Sequence, residues 1–181
     1  ETPEDLDFIS DFAGRLPMDV ISEMMGVPVA DREELRRLSD LLVHREEGIR
    51  DVPPEGAAAA LELVVYYADM LAQRAAALHQ TTMKLIQLAT TETPEVFLAD
   101  ATLYLEFMGH LVAGWVWMEQ GIAAAKGLAN SPNGADASFY MGKIQTLRYF
   151  YEYELPKTLA LEARLNSTVR VTLETKPEFL H

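Results

Sequence analysis

An all-α fold is expected, on three observations. Neither Gly nor Pro interrupts residues 57–93. Across that stretch Leu61, Val64, Ala68, Leu71, Ala75, Leu78, Thr82, Leu85 and Ala89 step by three and four, one stripe on one helix near the coiled-coil period. Two further long runs, about 94–126 and 135–165, carry helix start and stop signals. The expected architecture is a helical bundle around one long helix, about 57–90. An antiparallel helical hairpin over 94–165 and an irregular or extended C-terminal tail complete it.

The elements follow in order. Thr2 is placed to cap a first helix with Pro3 at its first position, and Gly14 ends it. A second short helix covers about 17–25, stopped by Gly26. In a third, Asp31 and Glu34 have capping-box spacing, and Leu35, Leu38, Leu41 and Leu42 follow at helical period until Gly48. Pro53 and Pro54 mark a loop before the long helix. Thr93, Pro94 and Glu95 open the next helix, which is expected to stop at Gly127. "GLANSPNGAD" is a clear loop. In the last helix Pro156 is expected to produce a kink by freeing the carbonyl of Glu152. "STVRVTLETK" alternates as a strand would, but no second strand is present to pair with it.

The 181 residues suit one ordinary domain or two small ones, and a hydrophobic content of 49% with 24% charged residues fits a globular chain. A net charge of −13 argues against nucleic acid, whose phosphates require Lys/Arg surfaces, and against anionic membranes. There is no cysteine, so thiolate metal sites, cysteine nucleophiles and haem-thiolate ligation are excluded within this chain. The acidic opening "ETPEDLDFIS" lacks the apolar core of a secretory signal. The most apolar stretch, 96–118, contains Asp100, Glu106 and His110, which favours a buried helix over a membrane span. A cytoplasmic location is expected.

Composition changes near residue 77. Residues 1–77 hold seven Arg, no Lys and 17 acids, a net of −10; residues 78–181 hold three Arg, five Lys and 11 acids, a net of −3. Twelve of the sixteen aromatic residues, including Trp115 and Trp117, lie in the second part.

No residue is assigned a catalytic, cofactor-binding or metal-ligating role, and no cofactor is expected. Glu106 and His110 are four apart on one helix face, a spacing open to an acid/base pair or a shared metal. A di-metal bundle requires Glu-x-x-His on two helices plus further carboxylates, a set the chain does not carry. The expected role of His110 is therefore helix packing beside Gly109 and Gly114. His44, His79 and His181 are isolated. In "RYFYEYELP", the rings of Tyr149, Phe150, Tyr151 and Tyr153 are expected to alternate between core and surface rather than stack on a flavin. Trp115 and Trp117 point to different sides of their helix, so it is expected to be covered on more than one side. Met18, Met24 and Met25 read as adaptable packing.

Two resemblances follow from longer motifs. "DFAGRLPMDVISEMMGVPVADREELRRLSDLLVHREE" and "PPEGAAAALELVVYYADMLAQR" resemble mid-chain helices of bacterial cytochrome P-450 monooxygenases. The later helices that carry that family's oxygen-activation pair and core E-x-x-R motif, and its Cys-containing haem loop, have no counterpart here. "FLADATLYLEFMGHLVAGWVWMEQGIAAA" and "ASFYMGKIQTLRYFYEYELPKTLALEARL" resemble the C-terminal helical extension of large acyl-CoA dehydrogenases. In those enzymes the flavin and catalytic Glu sit in the preceding body, so the resemblance implies a packing or oligomer-stabilising part. The chain is thus expected to be a composite: a monooxygenase-like segment over 1–76 and a dehydrogenase-extension-like domain over 77–181. The expected function is a non-catalytic helical scaffold or assembly module, chimeric or fused. The alternatives are an accessory fragment of a flavin-dependent acyl-CoA dehydrogenase, or an apolar-ligand binder with a closed pocket. The expected partners are a second copy, through apolar helix faces, or a dehydrogenase body.

Overall fold

In a computed structural model of the chain, residues 27–43, 54–130 and 134–180 are described, and every regular element among them is helical. The first two expected helices, His44, His181 and Met18, Met24 and Met25 lie outside the described residues. The elements are α1 (Val29–Val43), α2 (Pro54–Thr91), α3 (Pro94–Leu98), α4 (Ala101–Ala129), α5 (Gly134–Tyr149), a π-helical turn (Phe150–Glu154), α6 (Lys157–Leu165), α7 (Val171–Glu174) and a 3-10 turn (Pro177–Leu180).

The long helix is present: α2 spans 38 residues, about 57 Å at 1.5 Å per residue. The apolar stripe is shifted from the expected one. Leu61 is exposed, as are Ala68, Ala75 and Ala89, whereas Leu63, Tyr67 and Thr81 are fully buried. Tyr67, Arg74 and Thr81 face a neighbouring helix at seven-residue intervals, and that neighbour answers with polar groups. These positions are polar, so hydrophobic periodicity does not select them.

The chain forms two compact units. One takes the described residues up to Val65 together with Gly121–Arg148; the other takes Tyr66–Gln120 and Tyr149 onward. Both draw on α2 and α4. These units describe packing, whereas the expected division at 77 concerns sequence resemblance.

In the first unit Leu35, Leu38 and Leu42 of α1 are buried along with Ala60, Leu63 and Val64 of α2. Ala124, Ala125 and Leu128 of α4 and Ala137, Met141, Ile144 and Leu147 of α5 complete the buried apolar set. Two close approaches show that α4 and α5 run antiparallel. A Cβ on Gly121 would lie 2.6 Å from Leu147 Cδ2, and one on Gly127 would lie 2.5 Å from the Tyr140 ring. Gly127 therefore makes room for Tyr140 rather than stopping the helix, which continues to Ala129. The Asp31/Glu34 capping box does not form, because α1 starts two residues earlier, at Val29. Glu34 instead holds Arg37 at 2.5 Å, and Arg37 also reaches Glu62 of α2 at 3.2 Å.

In the second unit three helices pack side by side. Tyr67 donates to Glu152 at 2.7 Å, Arg74 to Thr158 at 2.9 Å, and Asn166 to Thr81 at 3.0 Å. Sequence numbers rise together along both partners, so α2 runs parallel to the π turn and α6. Between α2 and α4 they run in opposite senses: the Arg74 guanidinium sits over the Phe107 ring at 5.3 Å and Thr82 meets Tyr104 at 2.8 Å. The interruption expected at Pro156 takes the form of the π turn, in which Leu155 N–H bonds to Phe150 O, five residues back. The tail makes isolated helical turns, Val171–Glu174 and Pro177–Leu180, rather than an extended run. Its alternation of Val169, Val171 and Leu173 has no ladder to join, and all three side chains are exposed.

Candidate functional site

Helix α4 carries two apolar faces, with Glu106 and His110 on a flank between them, and this sets the site. Its inner face carries Phe107, Leu111, Gly114 and Met118, all buried. Within the same span its outer face carries Leu105, Met108, Val112, Trp115 and Val116, all exposed, with Leu105 at 64% and Trp115 at 58%. At 100° per residue those five lie within an arc of about 100°. Gly109 lies about 20° beyond the Val116 edge of that arc, and a Cβ placed there would meet nothing within 4 Å. The expectation that 96–118 is a buried helix is thus met on one face only. By length and composition 94–129 is also apolar enough to cross a membrane, although only 11% of its most apolar window is buried inside the protein.

The inner face is tied by polar groups as well as by burial. Tyr151 is fully buried and donates its hydroxyl to Gly114 O at 2.9 Å. Burial pushes that phenol well above its ordinary pKa. Its ring lies 4.9 Å from that of Tyr67. Arg74 forms a half-buried ion pair with Glu162 at 2.5 Å and also donates to Thr158 O at 3.2 Å. Arg164 pairs with Asp100 at 2.9 Å.

The residues singled out from the sequence separate as follows. Nδ1 of His110 lies 2.9 Å from the backbone oxygen of Glu106, so the ring is bound to its own helix. Among the described residues no group of three His, Cys, Asp or Glu side chains could hold a metal. In "RYFYEYELP" Tyr151 is buried and Phe150 half-buried, while Tyr149 and Tyr153 stack on each other outside at 5.0 Å. Glu154 sits beside this stack, 2.6 Å from Lys157. The Lys157 hydrogen bond, followed by the charges of Lys157 and His110, holds its carboxyl below the usual carboxylate range. Trp115 is uncovered and Trp117 half-buried. His79 is exposed.

A second feature, a cavity of about 240 Å³, had no signal in the sequence. It lies within the second unit, among the last turns of α2, the residues from Val96 to Tyr104, and the tail from Leu165 to Leu173. Only the tertiary path of the tail creates it.

Residues 49–176 match the family described as acetyl-CoA dehydrogenase C-terminal like. The chain is also similar to two curated relatives named putative cytochrome P450 123, from Mycobacterium bovis and Mycobacterium tuberculosis. Each is 56% identical over 70 residues, which is 39% of this chain and 17% of the relative. To cytochrome P450 109 of Bacillus spizizenii the identity is 34% over 76 residues, 39% of this chain and 19% of the relative. The chain spans less than a fifth of the length of these relatives. No solved structure matches it. Both resemblances seen in the sequence are therefore present, as in a fragment or fused chain. Only 48 residues precede the family match, so the 70-residue P450-like match overlaps it by at least 22. The two do not meet at a single residue.

Proposed function

The chain belongs to the acetyl-CoA dehydrogenase C-terminal-like family, matched over residues 49–176, and on that footing we propose that it is a non-catalytic helical assembly module. Its working surface is the outer face of α4, and the occupant is the same face of a second copy. The observation that carries this reading is the pairing of buried and exposed apolar faces on one helix. A helix with two apolar faces is stable in water only when both are covered, and the described residues leave one exposed. Gly109 supports a helix as the covering element. In an isolated exposed helix it costs about 1 kcal/mol relative to Ala, but in a helix crossing it admits a close backbone. Glu119 at the end of the face, with Glu106 on the same helix, favours a protein surface over hydrocarbon. The absence of cysteine within the chain supports the non-catalytic part, because haem-thiolate chemistry has no ligand here.

The net charge of −13 opposes self-association at low ionic strength. The proposal therefore expects a dimer in sedimentation equilibrium that tightens from 20 to 300 mM salt. Val112→Asp should make it monomeric while leaving the helical circular dichroism intact. A wild-type chain that stays monomeric at 100 µM in high salt would overturn the reading. Family membership favours one second reading: the same face docks on a dehydrogenase body. In that case the chain is monomeric alone, and Val112→Asp abolishes capture by that body.

A further inference from the structure

The 240 Å³ cavity lies at the N-terminal end of α4, where Ala101 and Tyr104 line it, and its lining has a polarity that can be worked out. Its walls are largely aliphatic: Leu85 and Leu88 from α2, Phe97 ahead of α4, and Leu165, Val169 and Leu173 from the end of α6 and the tail. An apolar cavity of about 150 Å³ is enough to take up benzene, so this one has room for a small organic molecule.

Two hydroxyls meet at its wall. Thr82 Oγ1 lies 2.7 Å from Leu78 O and 2.8 Å from Tyr104 Oη. The carbonyl can only accept, so the one Thr82 proton goes to Leu78 O. Tyr104 must then donate its proton to Thr82, which agrees with a phenol being the stronger acid of the two. The Tyr104 oxygen keeps a free lone pair and has no proton left for a ligand. It can therefore accept a hydrogen bond but cannot donate one.

The cations around the cavity are engaged. Arg164 bonds Asp100 and Val169 O, both at 2.9 Å; Arg170 bonds Glu92 at 3.2 Å; and the exposed Lys84 bonds Asn166 O at 2.6 Å. Asp100 and Glu92 offset the two guanidinium charges, and Asp100 itself lines the cavity.

We infer that this cavity binds a small neutral aliphatic molecule ending in a hydrogen-bond donor, an alcohol or a primary amide, whose donor meets Tyr104 Oη. A carboxylate lacks the donor and would place its charge against that lone pair. The tail from Val169 to Leu173 forms one wall, so binding should order it against α2.

The test uses 1-hexanol, hexanoate and 1-chlorohexane as probes, with amide shifts in ¹⁵N-correlated spectra of the whole chain. The expected result is saturable shifts confined to residues near 82–88, 97–104 and 165–173, with 1-hexanol binding at least tenfold tighter than hexanoate. Tyr104→Phe should reduce 1-hexanol binding to the level of 1-chlorohexane and leave 1-chlorohexane unchanged. Ala101→Leu, which fills the cavity from α4, should abolish binding of both. Hexanoate binding as tightly as the alcohol would overturn the inference, as would an alcohol preference that survives Tyr104→Phe. The absence of saturable shifts with any probe would also overturn it. None of these outcomes bears on the dimer, because the oligomeric state is read separately.

Discussion

The two faces of α4 have nearly the same chemistry and opposite fates. Phe107, Leu111 and Met118 on one side are buried, with Gly114 among them against Leu71, Phe150 and Tyr151, while Leu105, Val112 and Trp115 on the other meet solvent. The difference lies not in hydrophobicity but in the polar groups that lock the inner side: Tyr151 to Gly114 O and Arg74 over Phe107. Among the described residues the outer face shows no such anchors, which leaves it open to a partner.

The comparison breaks most sharply at Phe107. Truncation of this fully buried ring by Phe107→Ala should cost about 3–5 kcal/mol in a urea melt. Arg74 comes next. Arg74→Ala leaves Glu162 half-buried without its partner and removes the bond to Thr158, for a loss of about 2–3 kcal/mol, less than for a fully buried pair. On the outer face, Trp115→Ala should change the stability of the monomer by under about 0.5 kcal/mol. Its effect falls on association, which should weaken by at least about tenfold for an aromatic anchor at a packed interface. If Trp115→Ala unfolds the monomer as Phe107→Ala does, the two faces are not distinct.

A smaller effect sharpens the contrast, because one substitution should change sign between faces five residues apart. Gly114→Ala places a Cβ 3.2 Å from Leu71 Cδ1 and 3.3 Å from Phe150 Cε1, so it should destabilise the fold. Gly109→Ala meets open space and should stabilise the monomer by about 0.5–1 kcal/mol while weakening the dimer. Thermal melts at low concentration and sedimentation at high concentration separate the two effects.

Much of this architecture was legible from the chain. The expected long helix forms over Pro54–Thr91 and Pro156 does interrupt another, whereas Thr93-Pro94 starts only the short Pro94–Leu98 and the long helix expected from it begins at Ala101. The phase of the long helix was misread for a physical reason. Tyr67, Arg74 and Thr81 point inward because Glu152, Thr158 and Asn166 stand opposite them, and a pattern of apolar residues cannot register a polar seam. Gly127 was misread because a stop signal and a close packing contact look alike in one dimension. The apolar character of 96–118 was visible, but which face the chain would cover was not. The cavity depends on the path of residues 167–173, whose alternation suggested an extended tail rather than the helical turn that forms at Val171–Glu174.

The smallest effect is a pH dependence at the edge of α4's surroundings, where Glu154 and Lys157 pair at 2.6 Å beside the Tyr149–Tyr153 stack. The folded pKa of Glu154 is lowered, chiefly by its bond to Lys157, so its contribution to stability is present above the unfolded carboxylate value of 4.5. That contribution disappears as pH falls through the lower folded value. Lys157 is raised by the same bond, so its contribution is present below 10.5 and is lost as pH rises past that into the alkaline range. Between the two limits the pair adds a constant, small increment, because both groups are in contact with solvent. Lys157→Gln should therefore lower the melting midpoint slightly at pH 7, and the difference from wild type should narrow as pH falls below 4.5. His110 lies within electrostatic reach of Glu154, and its charge adds to the support for the carboxylate. A gap that does not narrow on acidification would mean Lys157 acts through packing of its aliphatic stem rather than through its charge.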